Sequence, residues 1–203
     1  MIFISIGPTC YTSCLLKEYG YRFEAYPLDW VFSSLEAVEH CIRDEFREFL
    51  NVENLYDVSG SSARHAVYNP MINTANLWGH YLEHEGDAGA NRGEAQWKFF
   101  NHHDLRDEAT LESFRRRCAR FMDALRGEED VYLVYLNRNT NDCEAVVDFT
   151  RRMRFRDGVF VIGIMEDSRA PPEAEILHVE KGCLVCKTSA PSAALRHYVV
   201  NSY

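Results

Sequence analysis

Chemistry in this chain could begin at Cys10. It follows Ile2–Ile6, a short β-branched and aromatic run that ends at Gly7-Pro8, the pattern of a buried strand. It opens Cys10–Tyr19, which carries Cys14, Leu15 and Leu16 at helical spacing and stops at Gly20, with Thr9 placed as N-cap. A thiol in the first turn of a helix meets exposed backbone N–H groups and the positive end of the helix dipole, which favour the thiolate. A residue just beyond a strand also points out of the carboxyl edge of a parallel sheet, where open α/β folds bind ligands. The competing reading is a small core residue, because free cysteine is among the most buried residue types.

His102-His103-Asp104 can supply a base and an acid to orient it. In an extended segment the two rings face opposite sides, so at most one meets Cys10. The bland alternative is a surface pair at a strand–helix junction, with Asp104 or Asp107 as helix cap. Asp29, in Tyr26-Pro27-Leu28-Asp29-Trp30, is a carboxylate among apolar neighbours. Such a group is either a hydrogen-bonded structural hub, the reading favoured here, or the orienting acid of a catalytic set.

Other patterns carry less. His80-Tyr81-Leu82-Glu83-His84 fits H-x-x-E-H, but Gly79 and Gly86 bracket it too closely for the long helix that zinc ligation needs, so no metal is expected. Cys183-Leu184-Val185-Cys186 is a lone C-x-x-C inside an apparent strand, where its sulfurs would face opposite sides and pack. Cys14 reads as core, although a redox pair with Cys10 is open. Glycine-rich phosphate loops and a G-x-S-x-G elbow are absent, and no cofactor is expected.

The elements that must position these residues alternate. A helix is predicted over Leu35–Leu50, with Leu35, Val38, Cys41, Ile42, Phe46 and Phe49 on one face. Residues 51–96, rich in Gly, Ser and Asn-Pro, read as an irregular insertion or lid inside a single domain of residues 1–203. Then come a short strand Trp97–Phe100, a helix Leu111–Leu125 with Arg115-Arg116-Arg117 partly exposed, and a strand Val131–Leu136. A helix from about Cys143 to Met153, a strand Val159–Met165, a hairpin turning at Lys181-Gly182 and a helix Ala193–Val200 complete the chain. Continuous apolar strands alternating with helices predict an α/β fold: a mainly parallel sheet with helices on both faces, in a Rossmann-like or SGNH-hydrolase-like three-layer arrangement.

Composition narrows the function classes. The chain has 203 residues, 46% hydrophobic and 13% aromatic, which excludes disorder. With 22 Lys+Arg against 31 Asp+Glu the net charge is −9, so no nucleic-acid partner is expected. The longest clearly apolar run after the N-terminus, Val159–Met165, is far short of the roughly 20 residues that span a bilayer, and no signal peptide is read at Met1–Gly7. No membrane partner is expected. Seven cysteines spread from Cys10 to Cys186 point to free thiols in the cytoplasm rather than a disulfide scaffold. The oligomeric state is not legible.

Taken together, Ile4-Ser5-Ile6-Gly7-Pro8-Thr9-Cys10, Leu15-Leu16-Lys17, Tyr21-Arg22, Tyr26-Pro27-Leu28-Asp29-Trp30-Val31 and Ser33-Ser34-Leu35 through Phe49-Leu50 resemble a bacterial and viral family described as papain-like cysteine peptidases. Phe100-Asn101-His102-His103-Asp104 and Phe114-Arg115-Arg116-Arg117 resemble that family's histidine block and the arginine-rich helix after it. The resemblance runs from Met1 to about Leu136. It implies Cys10 as nucleophile, His103 as its base and Asp104 or Asp29 as the acid. The chain departs from true papains, with no C-G-[SA]-C-[WY] at Cys10 and no glutamine a few residues before it. The G-x-x-C is also similar to the G-N-C-Q segment of capsule-polysaccharide acyltransferases.

The expectation is therefore acyl transfer or hydrolysis through a Cys10 thioester on a peptide, acylated or carbohydrate substrate. His103 or His102 would move the proton, and the N–H groups of Cys10 and Tyr11 would hold the oxyanion. Gly7, Thr9 and Trp30 would line the substrate site. A recognition module without catalysis, in which Gly7–Cys10 and Asp29-Trp30 are structural, is the alternative from another class.

Overall fold

The structure is a computed structural model that describes residues 1–57, 67–68, 100–101, 103–137, 142–192 and 194–195. Five strands form the main sheet: β1 (Ile2–Ser5), β6 (Val131–Asn137), β7 (Val159–Glu166), β9 (Cys183–Thr188) and β8 (Glu175–Glu180), in that spatial order. The first four are parallel, and β8 adds antiparallel to β9 at the Lys181-Gly182 hairpin. Continuous apolar runs pair this way because parallel strands are covered on each face. The order advances from β1 to β9, with β8 folded back on the far edge, so the carboxyl end of β1 lies at one end of the described sheet.

Residues alternating along these strands feed two hydrophobic clusters. Ile4, Leu133, Tyr135, Val161 and Val185 join residues of α2 (Leu35–Arg43), α3 (Glu108–Arg126) and α4 (Cys143–Met153). Phe3, Tyr132, Val134 and Ile162 join Leu15 and Leu16 of α1 (Cys10–Glu18), together with Ala194 and Leu195. The period of two in strand side chains explains the division. It also sorts Cys183 into the first cluster and Cys186 into the second, so the C-x-x-C pair is core on opposite sides of β9, as expected.

A second sheet was not foreseen. β2 (Val31–Phe32), β5 (Phe100–Asn101), β4 (Val67–Tyr68) and β3 (Tyr56–Asp57) pair antiparallel in that order, with Val31 opposite Asn101 and Phe32 opposite Phe100. Two-residue strands leave no periodicity in sequence. They exist because distant segments complete one another's backbone hydrogen bonds. The expected strand Trp97–Phe100 is described only from Phe100, and most of the irregular stretch 51–96, including H-x-x-E-H, lies outside the described residues.

The helix predicted over Leu35–Leu50 ends at Arg43. Glu45 and Phe46 adopt left-handed backbone, φ 55° and 62°, and the Phe46 N–H closes onto the Cys41 carbonyl at 2.7 Å. The apolar period misled because Phe46 and Phe49 still reach the core from the turn, where Phe46 packs edge-on against Phe49 and Phe121. Core burial of such rings, about 1.5–3 kcal/mol each, outweighs the propensity to continue a helix.

Candidate active site

The carboxyl end of β1 builds the Cys10 loop. The Gly7 carbonyl accepts from the Leu136 N–H at 3.2 Å and from the Thr12 hydroxyl at 2.9 Å, fastening the loop to β6 below and to α1 ahead. Gly7 has φ +103°, and a Cβ there would lie 2.6 Å from the Ser33 hydroxyl. The Ser33 N–H in turn donates to the Pro8 carbonyl at 3.0 Å. Gly7, expected to touch substrate, is thus engaged in holding the loop against the residue after β2. Gly7→Ala should cost about 1–3 kcal/mol through the unfavourable φ and the clash. Urea denaturation measures it, and a loss below about 0.5 kcal/mol would show that the loop can give way.

Thr9 caps α1, its hydroxyl accepting the Tyr11 N–H at 3.3 Å. The Tyr11 N–H proposed for an oxyanion is therefore engaged by the cap. Cys10 is half-buried at the first helical position, and its own N–H faces its sulfur and lowers the thiol pKa. Burial, followed by the Cys14 thiol, outweighs that N–H and raises Cys10 above the ordinary cysteine value. This corrects the expectation of a favoured thiolate. The cause is that desolvation of the charged form exceeds the contribution of one backbone donor. Iodoacetamide labelling of Cys10 in the free protein should rise only above the pH at which an ordinary thiol reacts. A plateau already reached at neutral pH would show a preformed thiolate instead.

Cys14 is exposed, not core. The inward positions of α1 include Thr12 and Ser13 beside Leu15 and Leu16, because Thr12 satisfies the Gly7 carbonyl and Ser13 accepts from Arg22. Polar residues on the buried face displaced the apolar reading of the segment.

Asp29 is fully buried. Its Oδ2 accepts from Arg22 Nη1 at 2.5 Å and from the Tyr26 N–H at 2.9 Å, and Arg22 Nη1 also donates to Ser13 Oγ at 2.9 Å. Burial raises its pKa, while the Tyr26 N–H, Arg22 and Ser13 pull it down. Asp29 Oδ1 has no hydrogen-bond partner among the described residues. The structural hub is thus a carboxylate–guanidinium pair bonded to Ser13, which lies one turn along α1 from Cys10, with Arg22 6.0 Å from the Trp30 ring centroid.

Asp104 makes a two-pronged pair with Arg106, both contacts 2.8 Å, and accepts the Arg106 N–H at 2.9 Å. Asp107, the other candidate cap, closes the start of α3 by accepting from the Thr110 N–H. His103 is exposed, with its ring 5.7 Å from Phe114. Burial of part of the ring, then Arg117, lowers its pKa, so the neutral imidazole prevails at neutral pH. His102 lies outside the described residues.

Three polar groups at this edge were not read from sequence. At the end of β6, Tyr135 donates its hydroxyl to Asp142 Oδ2 at 3.0 Å, and Asn137 Nδ2 meets the same oxygen. Burial and Asp142 hold the Tyr135 hydroxyl well above its ordinary value, hence protonated. Leu136 touches Gly7, so Asn137 follows directly after the residue that anchors the Cys10 loop. The polar run after a buried strand was the available signal. A groove of about 440 Å³ lined by Met1, Phe3, Tyr21, Phe23, Arg120 and Glu129 opens at the amino end of β1, away from Cys10.

The molecule is thus an α/β protein with a mainly parallel five-stranded sheet and a thiol at the helix start after its first strand. Residues 1–157 match the model of the family described as "Putative papain-like cysteine peptidase (DUF1796)", and the chain belongs to that family. No curated protein and no solved structure matches the chain. No helix among the described residues is long and apolar enough to cross a membrane.

Proposed function

We propose that this chain is a cysteine-dependent acyl hydrolase or acyl transferase, a peptidase by family, with Cys10 as nucleophile and His103 as base. The observation that carries the reading is the backbone path linking the two. Ser33, just beyond β2, bonds to Pro8 of the Cys10 loop, and β2 pairs with β5, which runs into the histidine block. A raised thiol and a neutral imidazole suit general-base catalysis better than a resting ion pair. A Rossmann-like or SGNH-hydrolase-like layering would place this site at the carboxyl edge of the sheet.

In the first step Cys10 Sγ attacks the carbonyl carbon as its proton passes to His103, and the Cys10 N–H takes the oxyanion, since the Tyr11 N–H is engaged by the cap. The C–S bond forms, the bond to the leaving group breaks, and His103 returns the proton to that group. Water or an acceptor hydroxyl or amine then attacks the thioester with His103 again as base. This releases the acyl product and the free thiol. Hydrolysis and transfer differ only in the second nucleophile. Asp29, through Oδ1, is the acid better disposed to support the site, because Asp104 is engaged by Arg106.

The test is acyl trapping. After incubation with p-nitrophenyl acetate, peptide mapping should find the acetyl group on Cys10, and none there in Cys10→Ala. Acetylation spread over the exposed thiols, with Cys10 unmodified, would favour the recognition-module reading.

A further inference from the structure

α3 carries the run Arg115-Arg116-Arg117, followed by Arg120. Three of these four arginines are provided for. Arg115 and Arg116 pair with Glu112 at 2.9 and 4.0 Å, while Arg120 donates to the Ala25 carbonyl at 2.7 Å and pairs with Glu24. Arg117 differs. It is half-buried, its guanidinium lies 4.7 Å from the centroid of Phe114, and its buried Nη1 has no hydrogen-bond partner among the described residues. Burial disfavours its charge; Asp29 favours it, and Arg22 opposes it.

Withdrawing guanidinium donors from water without an acceptor is costly, and natural proteins rarely leave such groups unmade. The carboxylate that attracts Arg117 does not fill the role: Asp29 Oδ2 is taken by Arg22 and the Tyr26 N–H, and its Oδ1 makes no hydrogen bond among the described residues. The position is informative too. The Phe114 ring that supports Arg117 also contacts His103, and Arg117 acts electrostatically on that imidazole. A guanidinium with an unsatisfied Nη1 thus shares the Phe114 ring with the proposed base. Guanidinium geometry matches carboxylate and phosphate oxygens in pairs.

We propose that Arg117 anchors an anionic group of the substrate, a carboxylate or a phosphate, next to His103. This inference rests on the Cys10–His103 reading for its connection to catalysis. It assigns the substrate class: an acyl compound or peptide bearing a negative group near the carbonyl that reacts.

Two measurements test it and separate its failure from that of the catalytic reading. The first compares p-nitrophenyl monoesters of succinate and glutarate with the neutral butyrate and valerate esters. The wild type should favour the anionic esters at least about tenfold in kcat/KM. Arg117→Gln should bring that ratio close to one, Arg117→Lys should keep part of it, and the exposed Arg116→Gln should leave it unchanged. Cys10-dependent turnover with no anionic preference overturns the anion site and leaves the nucleophile standing. If no ester is turned over, the catalytic reading fails, and the second measurement decides alone. Inorganic phosphate or glutarate should raise the thermal midpoint of the wild type but not of a folded Arg117→Gln, and the more effective anion identifies the source. No shift with either anion overturns the proposal.

Discussion

Cys10→Ser is expected to lower the turnover of activated acyl substrates by about a thousandfold or more, with KM changed far less. The hydroxyl replacing the thiol fits the half-buried site at the start of α1 but is a much weaker nucleophile at neutral pH. His103→Ala should cause a loss of similar order, and the double variant little more, because nucleophile and base act as a unit. The pH profile supplies the sign. His103 must be neutral to accept a proton, and burial with Arg117 lowers its pKa, so the ascending limb of kcat/KM should fall below the usual histidine range. It should vanish in His103→Ala. Retention of more than about a tenth of the activity in Cys10→Ser would remove Cys10 from the reaction.

Removing Arg22 should produce the largest loss of stability. Asp29 is fully buried, and the Arg22 side chain is only 12% exposed, so their 2.5 Å contact is little screened by solvent. Breaking a buried pair by deleting one partner costs about 3–5 kcal/mol, because a buried carboxylate is left without its cation. Arg22→Met should therefore shift the urea midpoint strongly with little change in slope. The penalty depends on pH. Without Arg22 the folded-state pKa of Asp29 rises further above its unfolded value. Below about pH 4 the carboxyl is protonated in both states and the penalty is small. Above that pH the unfolded chain ionises freely while the folded one cannot, so the penalty grows. Arg22→Met with Asp29→Leu should recover much of the loss, since an apolar replacement leaves no buried charge. A single Arg22→Met variant within about 1 kcal/mol of the wild type would show that the Tyr26 N–H suffices to hold Asp29. Because Ser13 shares Arg22 with Asp29, the same variants should also loosen the first turns of α1 and slow Cys10.

The residues from Ile2 to Glu18 were legible because each signal there is local. A β-branched run, a Gly-Pro break, a capping threonine and a helical period give β1, the turn and α1 with bounds within a residue or two. The strands β6, β7 and β9 and the helices α3 and α4 were legible for the same reason, and so was the placing of Cys183 and Cys186 on opposite faces. Family membership was legible as well, since it rests on the identity of residues and not on their arrangement.

What escaped the sequence depended on contacts between distant segments. The end of α2 was set by Phe46 and Phe49 reaching the core from a left-handed turn. In the sheet of β2 to β5, the strand β5 pairs with partners tens of residues away, and two-residue strands carry no pattern of their own. Cys14 turned outward because Thr12 and Ser13 are needed inside for the Gly7 carbonyl and for Arg22.

The sequence by itself thus determined which thiol stands at the helix start after the first strand, and it favoured Asp29 as a hydrogen-bonded hub. Only the tertiary structure decided which cation answers that carboxylate, that burial raises the Cys10 thiol instead of favouring its thiolate, and that Arg117 Nη1 has no acceptor among the described residues. Local signals come from backbone preference and periodicity along the chain. Desolvation and charge pairing arise only when remote residues exclude water together.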